Sequence, residues 1–487
     1  MKFQINRFTN LQTCKFLSTI SVFSTSILGM ASNTFTEENR TNVVVFVVDD
    51  LRPELGCYGY SDMLTPNIDA IASDGVRFNN AYAQQALSGP SRMCLLTGNR
   101  PETIGIYSIF TPLRSVHKNM LTMPQYFKQN GYTTVSVGKV YHHATDDKSS
   151  WSIHIPKENA QWINHSGKND DKPPYECADV ADEAYPDGRV ARDAVKILKD
   201  IKDKNFIMFV GFSKPHLPFN APKKYWDMYD ESKLTVPFKG NPEGMYPQAL
   251  TKWAELRVYT GMPKEGFVDD ETTRRLIHAY HACVSYTDAQ IGKVMKALDE
   301  LKLRDNTIVV VFGDHGWKLG EYGAWCKHSN FQIDLNVPLI FSMQKNSKTR
   351  NAGTTTDAKV GLVDLFPTLA EACGLAQPQV DGESIMKVLK HPDTKWRDYV
   401  CSVYPRGKRI MGFTCTDGKY RYTEWWDNEE NQLSGAEFYT CEQDYSHRAK
   451  NLVEDAKYSK DVARLKGYLE EQFPLDKRSS YPQNDRK

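Results

Sequence analysis

The sequence predicts an α/β fold: a large, mixed, mostly parallel sheet flanked by helices, followed by a smaller C-terminal α+β subdomain built on an antiparallel sheet. Three observations carry this prediction. Continuous β-branched and aromatic runs at 43–48, 206–212 and 307–312 lack alternation, as strands do when both faces are buried. Segments of helical period separate them, which is the rhythm of βαβ units. Beyond about Gly382 the pattern changes to short alternating runs, as in an antiparallel sheet with one solvated face.

Taken in order, Val43 to Val48 is the first buried strand and delivers Asp49-Asp50 at its C-terminal end. Thr65-Pro66-Asn67 opens a short helix, proline being tolerated in a first turn. A second helix starts in Ser88-Gly89-Pro90-Ser91-Arg92, with Ser88 at its positive mouth and Arg92 one turn on along the same face. Met123 to Gly131 reads as a short helix stopped by glycine, and Tyr132 to Val137 as a strand leading to Lys139, His142 and His143. Residues 144–188 are polar without a period, hence loop and insertion. Val190, Ala194, Ile197, Leu198 and Ile201 keep helical spacing before the strand Phe206 to Phe212, which runs into Lys214-Pro215-His216. Pro222 to about Asp269 is a second long irregular stretch, expected as a rim or lid beside a site.

Glu271 to Leu303 carries the longest helical pattern, and the strand Thr307 to Phe312 then delivers Asp314-His315. The loop beyond holds Trp325, Lys327 and His328. Pro338 to Met343 is a further strand, and Asp364 to Cys373 a helix stopped by Gly374. Alternating runs at 399–404, 409–414, 419–425 and 436–440 form the antiparallel sheet, closed by an amphipathic helix from Ser459 to Phe473. The expected divisions are a leader at 1–31, a main domain at 36–384, the subdomain at 385–475 and a polar tail at 476–487.

Lys2, Arg7 and Lys15 precede the small and apolar run Phe16 to Ala31, which reads as a secretory signal peptide cleaved after Ala31. Export is therefore expected. No other stretch is apolar enough to cross a bilayer, so no membrane insertion is expected after cleavage. The 61 Lys and Arg residues against 60 Asp and Glu leave a net charge of +1, which excludes a global field recruiting nucleic acid or a membrane surface. Ten cysteines without Cys-x-x-Cys spacing argue against a structural zinc site and a dense disulfide framework.

Asp49-Asp50, Lys139 with His142, Lys214 with His216, and Asp314-His315 all follow the C-terminal ends of strands expected to be parallel. That edge is where open α/β sheets bind ligands. Each pair alone also reads as ordinary: a capping aspartate, a solvated lysine, a satisfied histidine. Four such endings beside Ser88 point to one crevice. Three aspartates with one further donor make a hard, oxygen-rich set that favours Ca²⁺ or Mg²⁺ over zinc, with His315 ligating through nitrogen or bordering the ion. Arg92, Lys139, Lys214 and Lys327 add cations around one nucleophile, which suits a tetrahedral oxyanion such as sulfate or phosphate.

Ser88-Gly89-Pro90-Ser91-Arg92 with Leu96-Thr97-Gly98 resembles the signature of the sulfatase family, in the alkaline-phosphatase superfamily. Val47-Val48-Asp49-Asp50-Leu51-Arg52-Pro53, Val137-Gly138-Lys139-Val140, Lys214-Pro215-His216 and Asp314-His315-Gly316-Trp317 are most similar to its iduronate-2-sulfatase branch. The likeness runs from about residue 42 into the C-terminal subdomain, including Phe438-Tyr439; Asn99 departs from it, standing where the signature usually has arginine. The resemblance implies an alkaline-phosphatase-like fold and a sulfuric ester hydrolase of the bacterial periplasm. Ser88 would be oxidised to formylglycine by a serine-type maturating enzyme. Asp49, Asp50, Asp314, His315 and the modified Ser88 would ligate calcium, with magnesium the alternative. The hydrated aldehyde would offer one hydroxyl to attack sulfur, its ionised form favoured by the metal and Arg92, and a second whose proton His142 takes as sulfate leaves. Lys139 and Lys327 would hold sulfate oxygens, and His216 would protonate or orient the leaving oxygen.

The implied substrates are sulfated oligosaccharides, foremost the 2-O-sulfate of hexuronic acid, iduronate or unsaturated uronate, in glycosaminoglycan fragments such as those of heparan sulfate. Lys318 and His328 are candidates to read the uronate carboxylate. Three alternatives stand beside this reading: a sulfatase for an algal glycan, a phosphate or phosphonate ester hydrolase of the same superfamily, and a non-catalytic glycan-binding relative.

Overall fold

A computed structural model describes residues 40–142, 145–252, 254–347, 350–442 and 448–481. The leader expected at 1–31 and tail residues 482–487 lie outside the described residues, as does His143. Eight strands form the central sheet: β1 (Asn42–Val48), β2 (Val76–Tyr82), β3 (Thr133–Gly138), β4 (Ile153–Pro156), β5 (Phe206–Phe212), β6 (Thr307–Gly313), β7 (Asn336–Ser342) and β8 (Thr354–Gly361). Their spatial order is β8-β2-β7-β6-β1-β5-β3-β4. Only β7 runs against its neighbours, pairing antiparallel with both β6 and β2. The sheet is thus mixed and mostly parallel, as expected.

β1 shows why its sequence reads as an unbroken apolar run. Val44, Phe46 and Val48 enter one core with α1 (Pro66–Ser73), α4 (Pro186–Ile201) and α5 (Asp270–Glu300). Val43, Val45 and Val47 enter the opposite core with α2 (Ser88–Thr97), α3 (Met123–Gln129) and α6 (Leu365–Ala372). Period-two alternation serves two buried faces at once. α3 starts with a reciprocal Thr122–Gln125 capping box, and α5 with Asp269 accepting from the Thr272 amide at 2.8 Å.

The C-terminal part holds the antiparallel sheet β9 (Val400–Arg406), β10 (Ile410–Thr416), β11 (Tyr420–Asp427) and β12 (Gln432–Thr440) in sequential order. Leu465, Leu469 and Phe473, on or just past α7 (Ser459–Gln472), pack against it with Phe413 and Tyr422. Cys401 and Cys415, directly opposite on β9 and β10, form a disulfide. Ile385, Met386, Val388 and Leu389 pack within the core of the large sheet, and Arg478 is buried against Glu424 of the small one. The Val403 amide donates to the Gln84 carbonyl at 2.9 Å, four residues before Ser88. Among the described residues no helix is long and apolar enough to cross a membrane.

Three strands depart from the sequence expectation. β4 lies inside the stretch expected as loop, and β2 and β8 were not anticipated as strands; β4 and β8 are the sheet's edges, with Thr355 and Asp357 of β8 exposed and, on β4, Ile155 and Pro156. The first insertion is also tied down, because Tyr175–Glu176 pairs with Phe219–Asn220 just beyond His216.

Candidate active site

β1, β3, β5 and β6 end side by side, and their C-terminal loops bring the charged pairs together as the strand order requires. Asp49 and Asp50 follow β1 and Asp314 and His315 follow β6, all four fully buried. Asp50 holds a left-handed backbone with φ of 61°, a conformation that costs a non-glycine residue about 1–3 kcal/mol. Its amide donates to Asp314 Oδ1 at 3.1 Å, and its carbonyl accepts from Tyr280 Oη of α5 at 2.8 Å. Cys326 and His328 are also left-handed, so backbone strain gathers around the site.

α2 delivers Ser88. Leu87 occupies the N-cap position, which leaves the Ser88 hydroxyl at the first helical position free of capping duty. Ser88 Oγ donates to Asp49 Oδ1 at 3.2 Å and lies 2.9 Å from His315 Nε2. One turn on, Arg92 is buried between two carboxylates, with Nε on Asp314 Oδ2 at 2.8 Å and Nη2 on Asp49 Oδ1 at 2.9 Å. Its Nη1 donates to the Val140 carbonyl at 3.0 Å and to that of Lys139. Lys139 pairs with Asp49 Oδ2. A Cβ on Gly211 of β5 would collide with the Lys139 carbonyl, so glycine there admits the turn that brings Lys139 in.

Lys327 lies on the other side. Its Nζ reaches Asp50 Oδ1 at 3.2 Å and Glu255 Oε1 at 3.1 Å, 4.8 Å from the Trp317 ring centre. His216 Nε2 meets Glu255 Oε1 at 2.9 Å and Asp50 Oδ2 at 3.9 Å. Asp187 fixes that loop by accepting from the Ser213 and Lys214 amides. His142 closes the loop after β3 with its side chain 8% exposed, its carbonyl accepting from Thr145 Oγ1 at 2.6 Å.

Burial works to raise the Asp49 carboxyl, but Lys139 and Arg92 outweigh it and hold Asp49 well below the usual carboxylate range. Asp50 goes the other way. Burial and the neighbouring Asp49, Glu255 and Asp314 push it well above that range in spite of Lys327. His216 is pushed down to about 4 by burial and by Lys327 and Lys139.

Asp49, Asp50, Asp314 and His315 each offer a ligand atom within 4.8 Å of one another. The donor set is hard, and with Glu255 beside it four carboxylates face the three cations Arg92, Lys139 and Lys327. These residues fit a divalent cation of the calcium or magnesium kind.

Three expectations require correction. Lys214 spends its ammonium on the His216 and Pro218 carbonyls and on Gln161, so it braces the loop and does not face the carboxylates. Lys318 is buried against Asp334 and Ser329, which removes it as a reader of substrate. His328 is engaged by Glu255 at 3.3 Å and Tyr404 at 2.8 Å. Glu255, which joins Lys327, His216 and His328, was missed; it is a lone carboxylate in a stretch without period, and no sequence signal marks it.

Residues 41–375 match the sulfatase family profile. The chain is 34% identical over 466 residues to iduronate 2-sulfatase of Mus musculus, across 79% of this chain and 84% of that protein. A solved 2-O glycosaminoglycan sulfatase superposes with a TM-score of 0.68 at 23% identity, covering 91% of this chain and 93% of that one. The phosphonate monoester hydrolase of Silicibacter pomeroyi superposes with 0.73 at 19% identity, covering 92% and 96%. At such identities the two structures speak for the fold alone. The family profile and the mouse relative, joined to this crevice, settle the matter: the chain belongs to the sulfatase family and is a sulfuric ester hydrolase.

Proposed function

We propose that this enzyme releases the 2-O-sulfate of hexuronic acid, iduronate or its unsaturated counterpart, from glycosaminoglycan fragments after export to a bacterial periplasm. Ser88, oxidised to formylglycine by a serine-type maturating enzyme, is the nucleophile. Asp49, Asp50, Asp314 and His315, with residue 88, would hold calcium, magnesium being the alternative. The observation that carries the reading is the Ser88 hydroxyl between Asp49 and His315 at the head of α2, with three cationic side chains around it. The uronate preference rests on likeness to iduronate 2-sulfatase over most of the chain.

When bound, a divalent cation would supply positive charge that favours an ionised oxygen on residue 88. The oxidised, hydrated residue supplies two hydroxyls where serine has one, so one can attack sulfur and the other permits release. Arg92 fixes the orientation of Asp49 and Asp314, which keeps the ligand cluster and the nucleophile in register. Lys139 and Lys327 exchange their carboxylate contacts for sulfate oxygens and stabilise the charge that spreads over them in the transition state. His216, held by Glu255, protonates or orients the leaving sugar oxygen, and His142 takes the proton whose loss frees sulfate.

The test is sulfate release from uronic-acid disaccharides differing only in sulfate position, with protein co-expressed with the maturating enzyme. Release confined to 2-O-sulfated members, and absent in Ser88→Ala, is expected. Release only from sugars sulfated elsewhere would overturn the uronate assignment.

A further inference from the structure

The uronate reading leaves the substrate carboxylate without a partner, because Lys318 is spent on Asp334 and His328 on Glu255 and Tyr404. The remaining cations at this edge are also committed. Arg92 and Lys139 hold Asp49, Lys327 holds Asp50 and Glu255, and Lys214 serves carbonyls. Arg406, near His328, gives its guanidinium to the Gln248, Ala249 and His328 carbonyls.

Lys157 differs. It follows β4, the edge strand that the sequence did not reveal. Pro156 stands opposite Gly138 in the parallel register of β4 with β3, so Lys157 leaves the sheet beside Lys139. The side chain is half-buried, and among the described residues its ammonium has no hydrogen-bond or ion-pair partner. The charges that act on it are Lys139, Asp49, Lys214 and Asp187, which places it electrostatically within the site. Burial and the nearby Lys139 push it down to about 7, the behaviour of a cation kept in place without a counter-charge.

Resting on the uronate reading, we propose that Lys157 is the specificity-determining cation that binds the carboxylate of the substrate's sulfated uronic acid, while Lys139 and Lys327 take the sulfate. An incoming carboxylate restores the charge of the ammonium and satisfies its donors in one contact, so the anion is bound most strongly where the protein has left a cation unpaired. A neutral sugar offers nothing in exchange.

The experiment compares kcat/KM for a uronate 2-sulfate and for its carboxyl-reduced counterpart, in which a hydroxymethyl group replaces the carboxylate. Wild type is expected to prefer the uronate by about ten- to a hundredfold, the range of a charged hydrogen bond. Lys157→Met is expected to lose that preference, mainly through KM on the uronate, and Lys157→Arg to keep most of it. Melting curves of both variants confirm that they fold. A folded Lys157→Met that retains the wild-type preference would overturn the proposal. Wild-type enzyme that turns over neither sugar while hydrolysing another sulfated glycan would overturn the uronate reading itself, and this one with it; that failure is visible before any variant is made.

Discussion

Arg92→Met removes the one guanidinium that two fully buried carboxylates share, at 2.9 Å from Asp49 and 2.8 Å from Asp314. Removing one partner of a buried pair costs about 3–5 kcal/mol, since the other charge is left without compensation. Here two carboxylates lose the same partner, but they belong to one network, so the costs do not add. Asp49 also keeps Lys139. The expected loss is therefore about 3–5 kcal/mol of unfolding free energy at pH 7 in the presence of a chelator, read from urea unfolding by tryptophan fluorescence. Calcium at a hundred times its Kd adds about 2.7 kcal/mol to wild type, and more to Arg92→Met at equal calcium because its cluster carries one more uncompensated negative charge. Arg92→Lys keeps a charge but not the fork, and recovers part of the loss. An Arg92→Met midpoint equal to wild type in chelator would refute the account of Arg92 as the brace of the ligand cluster.

Further outcomes follow from the same contacts. Asp49 has a folded-state pKa depressed below its unfolded value, so its contribution to stability is complete above about pH 4 and is lost as pH falls through the lower folded value. Asp49→Asn should accordingly flatten the acid limb of a stability-against-pH curve below about pH 4, and an unchanged limb would contradict the assignment. Lys318→Met strands Asp334 and Ser329 in the interior and should cost about 3–5 kcal/mol in urea unfolding while the KM ratio between uronate and carboxyl-reduced substrates stays put. Removing divalent ions with a chelator should lower the melting temperature and abolish turnover, and calcium should restore both; a melting temperature indifferent to chelation would count against a resident cation.

The legible parts of the chain are those whose physics is local. β1, β5 and β6 are buried on both faces, so their residues had to be apolar throughout, and the charged pairs at their ends stood out against that background. Ser88 and Arg92 were placed on one helix face by spacing alone, and the structure brings both to Asp49. β8 was illegible because an edge strand that faces solvent carries polar residues that imitate loop, and β4 because it is only four residues long inside a polar stretch. The direction of β7 is set by its partners and by no residue of its own. Lys318 and Lys157 show the limit at the site. Their residue type is the same, yet one is neutralised by Asp334 sixteen positions away and the other is placed by an edge strand no pattern announced. Glu255 is the extreme case, brought in by a long irregular stretch to hold Lys327 and His216.

The central claim is that a modified Ser88 performs sulfate ester hydrolysis in the carboxylate-lined crevice. The most direct measurement takes preparations made with graded amounts of a serine-type maturating enzyme, determines by peptide mass the fraction of Ser88 that has lost two hydrogens, and sets it against sulfate release from a 2-O-sulfated uronate. The account predicts turnover proportional to that fraction and none from the unmodified protein. Full turnover by protein whose Ser88 peptide has the mass of plain serine would contradict it.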